Sequence, residues 1–175
     1  TANGRYEQQL VIHANKAADV AADFKTQVGD VFDKFRGSDA TLVAGAKICS
    51  KFNSVVVGNH DISNTVEDDS TMHMCAELLR KEGQHGFAFP DKVGASTVVV
   101  YHNEVEKLLL IIVPYCYTQA QFEDSLREAY GVAKKTEDDV AKILVLHTNY
   151  NLGYELTDTT NNLDKEDAEM LLEQF

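Results

Sequence analysis

The sequence predicts an α/β protein in which strands and helices alternate and reactive side chains lie at the carboxyl ends of strands. Two observations lead to this fold class. Short apolar runs such as residues 54–57 and 143–146 have the length of buried strands, and segments with helical spacing of apolar residues separate them. Polar turns follow these runs directly. With 175 residues and 44% apolar content, the chain has the size of one domain, residues 1–175, with a sizeable core.

Each helix is predicted from apolar residues that recur at helical spacing, at residues 6–23, 40–52, 70–81, 119–130 and 164–175. Each strand is predicted from a short apolar or β-branched run, at residues 24–28, 54–57, 97–101, 107–113 and 143–146. The third and fourth of these strands are expected to pair as a hairpin. Asp39 is predicted to cap the second helix and Gly131 to end the fourth. Lys25 and Gln27 are unusual residues for a buried strand.

The chain is acidic, with a net charge of −12 that arises from 28 acidic and 16 basic residues. A surface of this charge repels nucleic acid, because non-specific affinity for DNA comes mostly from Lys and Arg side chains that neutralise phosphates. If the substrate is DNA, its binding is therefore expected to depend on a local patch, on missing parts of the chain, or on a partner protein.

Three cysteines, Cys49, Cys75 and Cys116, lie in apolar or helical surroundings and share no CxxC spacing. We expect buried free thiols in a reducing compartment, and a disulfide is the alternative that the sequence leaves open. The longest apolar stretch, residues 108–113, is far shorter than a membrane span, and no secretory signal pattern is visible. A cytoplasmic, or otherwise intracellular, location is therefore expected.

Two glycine-led turns carry the side chains best suited to chemistry. Gly58-Asn59-His60-Asp61 follows the apolar run 54–57 and presents an amide oxygen, an imidazole and a carboxylate from adjacent positions. Earlier in the chain, Gly29-Asp30-Val31-Phe32-Asp33 forms a similar turn. Oxygen ligands suit hard divalent cations, and an imidazole can donate to a phosphate. A carboxylate such as that of Asp30 can bridge two cations with its two oxygens.

These turns resemble motifs of the calcineurin-like metallophosphoesterases. The motifs of that family run Asp-X-His, Gly-Asp-X-X-Asp, Gly-Asn-His-Asp or Glu, a lone His, and Gly-His-X-His. Residues 29–33 match the second motif, residues 58–61 match the third, and His147, after the run 143–146, matches the lone His. The first and last motifs are missing from the 175 residues. The resemblance implies a two-sheet metallophosphoesterase sandwich flanked by helices, of which this chain is a partial domain truncated at both ends.

The resemblance also implies a role for each matching residue. Asp30, Asn59 and His147 would be ligands of two divalent metal ions, with Mn²⁺ favoured. His60 would donate a hydrogen bond to a phosphate oxygen or a proton to the leaving group, and Asp61 would hold its ring. The alternatives are ordinary structural roles: turn residues at Asp30 and Asn59, an exposed loop residue at His60, and a structural histidine at His147.

Within this family, three features favour the nuclease subunit of SbcCD-type double-strand-break repair complexes. They are the Gly-Asp-Val-Phe-Asp form of the second motif, the long insert between His60 and His147, and the Leu-His step at 146–147 that precedes a variable loop. Such an SbcD-type subunit is an exonuclease or endonuclease that cuts DNA with Mn²⁺ in repair or recombination. Its partner is an SbcC-type ATPase with a long coiled coil, and a homodimer is compatible with the resemblance.

Two other functions stay open. One is a phosphomonoesterase, cyclic-nucleotide phosphatase or protein phosphatase that uses the same site, and the other is a non-catalytic interaction module that has lost the outer metal motifs. For either enzyme, we expect Asp30, Asn59, His60 and His147 to converge at one edge of the sheet. Because the chain lacks about half of the expected ligands, these 175 residues alone are expected to bind divalent metal weakly and to show no phosphodiesterase activity.

Overall fold

The structure, a computed structural model, describes residues 11–12, 15–16, 19–22, 24–62, 70–81, 86–90, 96–105, 107–150, 162–173 and 175. The helices whose bounds lie within the described residues are α1 (Asp39–Cys49), α2 (Thr71–Lys81), α3 (Gln119–Lys135) and α4 (Lys165–Leu172). Its strands are β1 (Thr26–Gln27), β2 (Ser54–Val56), β3 (Gly86–Ala88), β4 (Val99–Asn103), β5 (Leu108–Val113), β6 (Ala141–Leu146), β7 (Asn149–Tyr150) and β8 (Asn162–Leu163). This mixture confirms the α/β class. Among the described residues, no helix has the length and apolar character needed to cross a membrane.

The strands form separate small sheets, with the orders β1-β2-β3 and β4-β5-β6 and the pair β7-β8. By its internal contacts the chain divides into two compact units. The first unit comprises residues 1–55 and 59–87, and the second comprises residues 56–58 and 88–175.

In the first unit, β1 and β2 are parallel neighbours, with Thr26 opposite Ser54 and Gln27 opposite Val55. Helix α1 lies between them in the chain. Its cap is Ser38 and not Asp39 as predicted, because Ser38 has the extended backbone of a capping residue and its hydroxyl accepts from the Thr41 N–H at 3.3 Å. The helix also ends at Cys49, three residues before the predicted end at 52.

The interior of the first unit lies where α1 packs on α2. Gly45 of α1 faces the Phe32 ring so closely that a Cβ added to Gly45 would lie 2.2 Å from the Phe32 Cζ. Cys49, Met72 and Cys75 are fully buried in this region. The helix glycine therefore makes room for an aromatic side chain that comes from the loop after β1.

The second unit is built on β5, a buried strand that pairs antiparallel with β4 and parallel with β6. The predicted hairpin is thus confirmed, with its first strand two residues later than expected. One face of the sheet packs against α3 and α4. The buried residues of this core are Leu109, Ile111, Val113, Cys116, Phe122, Leu126, Ala129, Ala133, Leu163 and Leu171.

Helix α3 does not end at Gly131 as predicted but continues to Lys135. Ala133 is fully buried in the core and Val132 packs against it, so burial favours another turn of helix. Asp164 caps α4, whose helical residues run from 165 to 172. Strands β3, β7 and β8 were not predicted, and most of the predicted helix 6–23 lies outside the described residues.

Candidate functional site

The loop after β1 places Asp30 in a backbone conformation that few residues adopt. Gly29 has φ 105° and Asp30 has φ 54°, both in the left-handed region, which glycine enters freely and aspartate tolerates better than most residues. The Gln27 side chain holds this turn from both sides. Its Oε1 accepts from the Gly29 N–H at 2.9 Å, and its Nε2 donates to the Gly29 carbonyl at 2.6 Å. Gln27 therefore serves the turn, which explains its presence in so short and half-buried a strand.

Replacing Gln27 with Ala is expected to lower the free energy of unfolding by about 1 kcal/mol, because two hydrogen bonds to partly buried backbone groups are lost. Urea denaturation measures the change. Gln27→Glu is the matched control, since a carboxylate still accepts from the Gly29 N–H but cannot donate to its carbonyl. An alanine variant as stable as the wild type would show that the turn does not depend on this side chain.

Three hydrogen bonds join the Asp30 loop to the loop after β2. The His60 N–H donates to Asp30 Oδ1 at 3.1 Å, and the Phe32 N–H donates to Asp61 Oδ1 at 2.8 Å. The His60 Nδ1 lies 3.3 Å from the Asp33 carbonyl oxygen, which can only accept. Because β1 and β2 are adjacent and parallel, the loops at their carboxyl ends meet at one edge of the sheet. The structure thus brings the second and third motif loops together.

Asp61 lies beneath these loops with its side chain fully buried. Its carboxylate accepts a hydrogen bond from the Phe32 N–H. The sequence predicts that Asp61 holds the His60 ring, but the structure shows that the Asp33 carbonyl makes that contact. Phe32 is itself buried, at 3% exposure. Asp61 therefore positions the Asp30 loop through its hydrogen bond with the Phe32 N–H.

His60 is exposed, and its ring has a defined orientation. Donation from Nδ1–H to the Asp33 carbonyl places the proton of the neutral ring on Nδ1, so Nε2 is then an acceptor. In the imidazolium form both nitrogens donate, and the Asp33 contact is kept. A charged His60 can therefore donate from Nε2 to a phosphate oxygen while the Asp33 carbonyl holds the ring.

His147 belongs to the second unit and directly follows β6. Its N–H donates to the Val113 carbonyl at 3.1 Å, which extends the pairing of β5 and β6 by one residue. Two residues after Val113, the Tyr115 N–H donates to the Val57 carbonyl at 3.0 Å. Val57 immediately precedes Gly58 of the third motif. The convergence of His147 with Asp30 stays a prediction.

The donor atoms fit a divalent cation by type but not by number. Asp30 is exposed and Asn59 is half-buried, and both offer the oxygen ligands that hard cations prefer. Among the described residues, no three His, Cys, Asp or Glu side chains are placed together as a metal site. Divalent cations in proteins take about four to eight ligands. With these donors alone, a divalent cation would have an incomplete coordination shell.

A cavity of about 440 Å³ lies elsewhere, in the second unit. Its lining residues are His102, Glu104, Lys107, Lys135, Thr136, Glu137, Asp139 and Val140. Two of these residues, Lys107 and Asp139, form an ion pair. The lining mixes both signs of charge and contains no predicted site residue, so the cavity does not bear on the motif loops.

Comparisons with known proteins do not assign a family: no family model matches the chain, and no curated protein matches its sequence. The resemblance to metallophosphoesterases therefore depends on residues 29–33, residues 58–61 and His147. Sequence reasoning missed the contributions of Gln27 and of the Asp33 carbonyl. The role of Gln27 could have been recognised from the sequence, because a side-chain amide just before a Gly-Asp turn can form hydrogen bonds with the backbone of that turn.

Proposed function

We propose that this chain forms part of a metal-dependent phosphoesterase site and that its reaction is the hydrolysis of phosphodiesters, with DNA as the favoured substrate. One observation carries the proposal: the Asp30 loop and the 58–61 loop are hydrogen-bonded to each other at the ends of parallel neighbouring strands. A carboxylate, an amide and an imidazole from two separate motifs thus lie in one place. The fold proposed for the domain is the two-sheet metallophosphoesterase sandwich.

In this proposal Asp30 and Asn59 hold divalent cations, with Mn²⁺ favoured, and His147 is a further ligand by its place in the motif order. A bound cation would polarise the phosphate and lower the pKa of a coordinated water. His60, held by the Asp33 carbonyl, donates from Nε2 to a phosphate oxygen. Asp61 keeps the two loops in register through the Phe32 N–H.

The acidic composition bears on how such a site would hold DNA. A net charge of −12 opposes the approach of a polyanion, so this chain alone offers little non-specific affinity. We therefore propose that the grip on DNA comes from a partner, for which an SbcC-type ATPase is the candidate, with a homodimer as a further arrangement. A small phosphomonoester substrate would need no such partner.

Two substrates assayed with Mn²⁺ test the proposal: double-stranded DNA and nitrophenyl phosphate. The protein for the assay is a polypeptide that carries these 175 residues together with both outer motifs, and the 175-residue chain is its matched control. We expect the longer polypeptide to cut DNA in preference to the small ester and the control to cut neither. Preference for nitrophenyl phosphate would favour a phosphatase, and no hydrolysis of either would favour an interaction module. Robust DNA cleavage by the control would place the catalytic groups outside the motif loops.

A further inference from the structure

Strand β4 lies at an edge of its sheet in the second unit, and among the described residues it pairs with β5 alone. Its side chains are exposed: Val99, Val100 and Tyr101 keep 37%, 45% and 43% of their surface in solvent. Proteins usually protect an edge strand with charged side chains, proline or a bulge. The sequence of β4, Val-Val-Tyr-His-Asn, contains no Lys, Arg, Asp, Glu or Pro, and its pairing with β5 is uninterrupted. This edge therefore lacks the usual protection against another strand.

The hydrogen bonds of β5 determine which backbone groups of β4 point outward. Val113 faces β6, because its carbonyl accepts at 3.1 Å from the N–H of the first residue after β6. Backbone groups alternate in direction along a strand, so Ile112 faces β4, where it lies opposite Val99. Val99 therefore faces β5. By the same alternation, the N–H and C=O groups of Val100 and His102 point away from the sheet.

We propose that β4 pairs with the β4 strand of a second copy of this chain, antiparallel and around a two-fold axis at Tyr101. The inference is independent of the proposed function. In this register the backbone groups of Val100 meet those of His102 of the second copy and exchange both N–H···O bonds, and the symmetry repeats the contact. All of residues 99–103 are then paired. A register with the axis one residue later would instead place Glu104 opposite Val100.

The side chains of β4 also suit pairing with a second copy. Two chains that each carry a net charge of −12 repel each other, but residues 99–103 have no formal charge, so the paired strands bring no like charges opposite each other. Tyr101 lies opposite Tyr101 of the second copy at the axis, in a non-hydrogen-bonded pair, where side chains come closest. Val99 of each copy is a diagonal neighbour of this aromatic pair. The strand is therefore complementary to itself in hydrogen bonds, in charge and in apolar contacts.

Sedimentation velocity of the 175-residue protein over a range of concentrations tests the proposal, at high ionic strength so that repulsion between the two acidic chains is screened. We expect an equilibrium between monomer and dimer. Tyr101→Lys places two like charges opposite each other at the axis and should weaken the dimer about tenfold. Val100→Pro should also weaken it, because proline removes an N–H that points outward and leaves the hydrogen bonds to β5 in place.

Val105→Lys is the matched control for Tyr101→Lys. Val105 is 93% exposed and lies in the turn after β4, so this variant adds the same charge away from the axis. We expect it to associate like the wild type. Equal association of Tyr101→Lys and Val105→Lys would place the contact between copies elsewhere. A monomer at every concentration would leave the edge to an extended segment of another protein, and either result overturns the proposal.

A cysteine at the axis identifies the register directly. The native cysteines, Cys49, Cys75 and Cys116, are buried thiols and not disulfides, as the sequence predicts. Opposite residues of a non-hydrogen-bonded pair have Cα atoms about 4.5 Å apart, within the range of a disulfide. Air oxidation with a copper–phenanthroline catalyst should therefore join two copies of Tyr101→Cys, and dithiothreitol should separate them.

Val105→Cys is the matched control for this cross-link, because the two copies of residue 105 would lie about 27 Å apart along the paired strands. We expect this variant to stay monomeric on a non-reducing gel. Equal cross-linking of Tyr101→Cys and Val105→Cys, or none of Tyr101→Cys, would contradict the pairing of β4 with itself.

Discussion

In a polypeptide that carries both outer motifs, replacing His60 with Ala is expected to lower the turnover of phosphodiesters by about a hundred- to ten-thousand-fold, the usual contribution of general acid catalysis. The bound metal content should change little. The physical reason is that His60 is fixed through its Nδ1 on the Asp33 carbonyl and is assigned a contact with the phosphate through Nε2. Turnover and bound Mn²⁺ are measured on the same preparations.

His102→Ala is the matched control for this variant. His102 is also an exposed histidine, but it lies on β4 in the second unit and belongs to neither motif loop. We expect the His102→Ala variant to have the same turnover and the same bound metal content as the unsubstituted polypeptide. An equal loss of turnover and of metal content in His60→Ala would instead make His60 a metal ligand.

Replacing Gly45 with Ala is expected to lower the free energy of unfolding by about 1–3 kcal/mol, the usual cost of overpacking a core. The new methyl group would lie 2.2 Å from the Phe32 Cζ, so the ring or helix α1 must move. Phe32 is buried and its N–H is bonded to Asp61, so a shift of the ring also disturbs the contact between the two motif loops. Urea denaturation gives the stability change.

Gly131→Ala is the matched control, because Gly131 is also a helix glycine but has nothing within 4 Å of an added Cβ. There, alanine should raise the stability by about 0.5–1 kcal/mol through its higher helix propensity. The two glycine variants should therefore change stability in opposite directions. A Gly45→Ala protein as stable as Gly131→Ala would mean that Phe32 does not pack against α1.

The sequence predicts the elements around the site because their signals are local. A short apolar run marks the strand at 54–57, and a leading glycine marks each of the turns at 29–33 and 58–61. Strand β2 and both loops lie at the positions that these signals predict. Gly131 shows where local signals fail. A glycine can end a helix, but burial of Ala133 continues this one, and that burial depends on residues of β5 that are distant in sequence.

The contacts within the site could not be predicted from the sequence. The Phe32–Asp61 and Asp30–His60 hydrogen bonds join residues 29 and 30 positions apart, and they depend on the register of β1 against β2. A shift of one residue would turn each side chain to the other face of the sheet. Asp61 shows the consequence: its motif position predicts a contact with the ring of the preceding residue, whereas its carboxylate binds a backbone N–H of the other loop.

The most direct test of the central claim, that the two motif loops form part of a divalent-cation site, is a Mn²⁺ titration of the 175-residue chain followed by electron paramagnetic resonance. The wild type is compared with Asp30→Asn and with Asp33→Asn, which removes the same charge from the same loop and keeps the backbone carbonyl that His60 contacts. We predict weak binding by the wild type, a loss of about tenfold or more in affinity for Asp30→Asn, and a much smaller change for Asp33→Asn. Equal affinities of the two variants, or no binding of Mn²⁺ by the wild type, would contradict the claim.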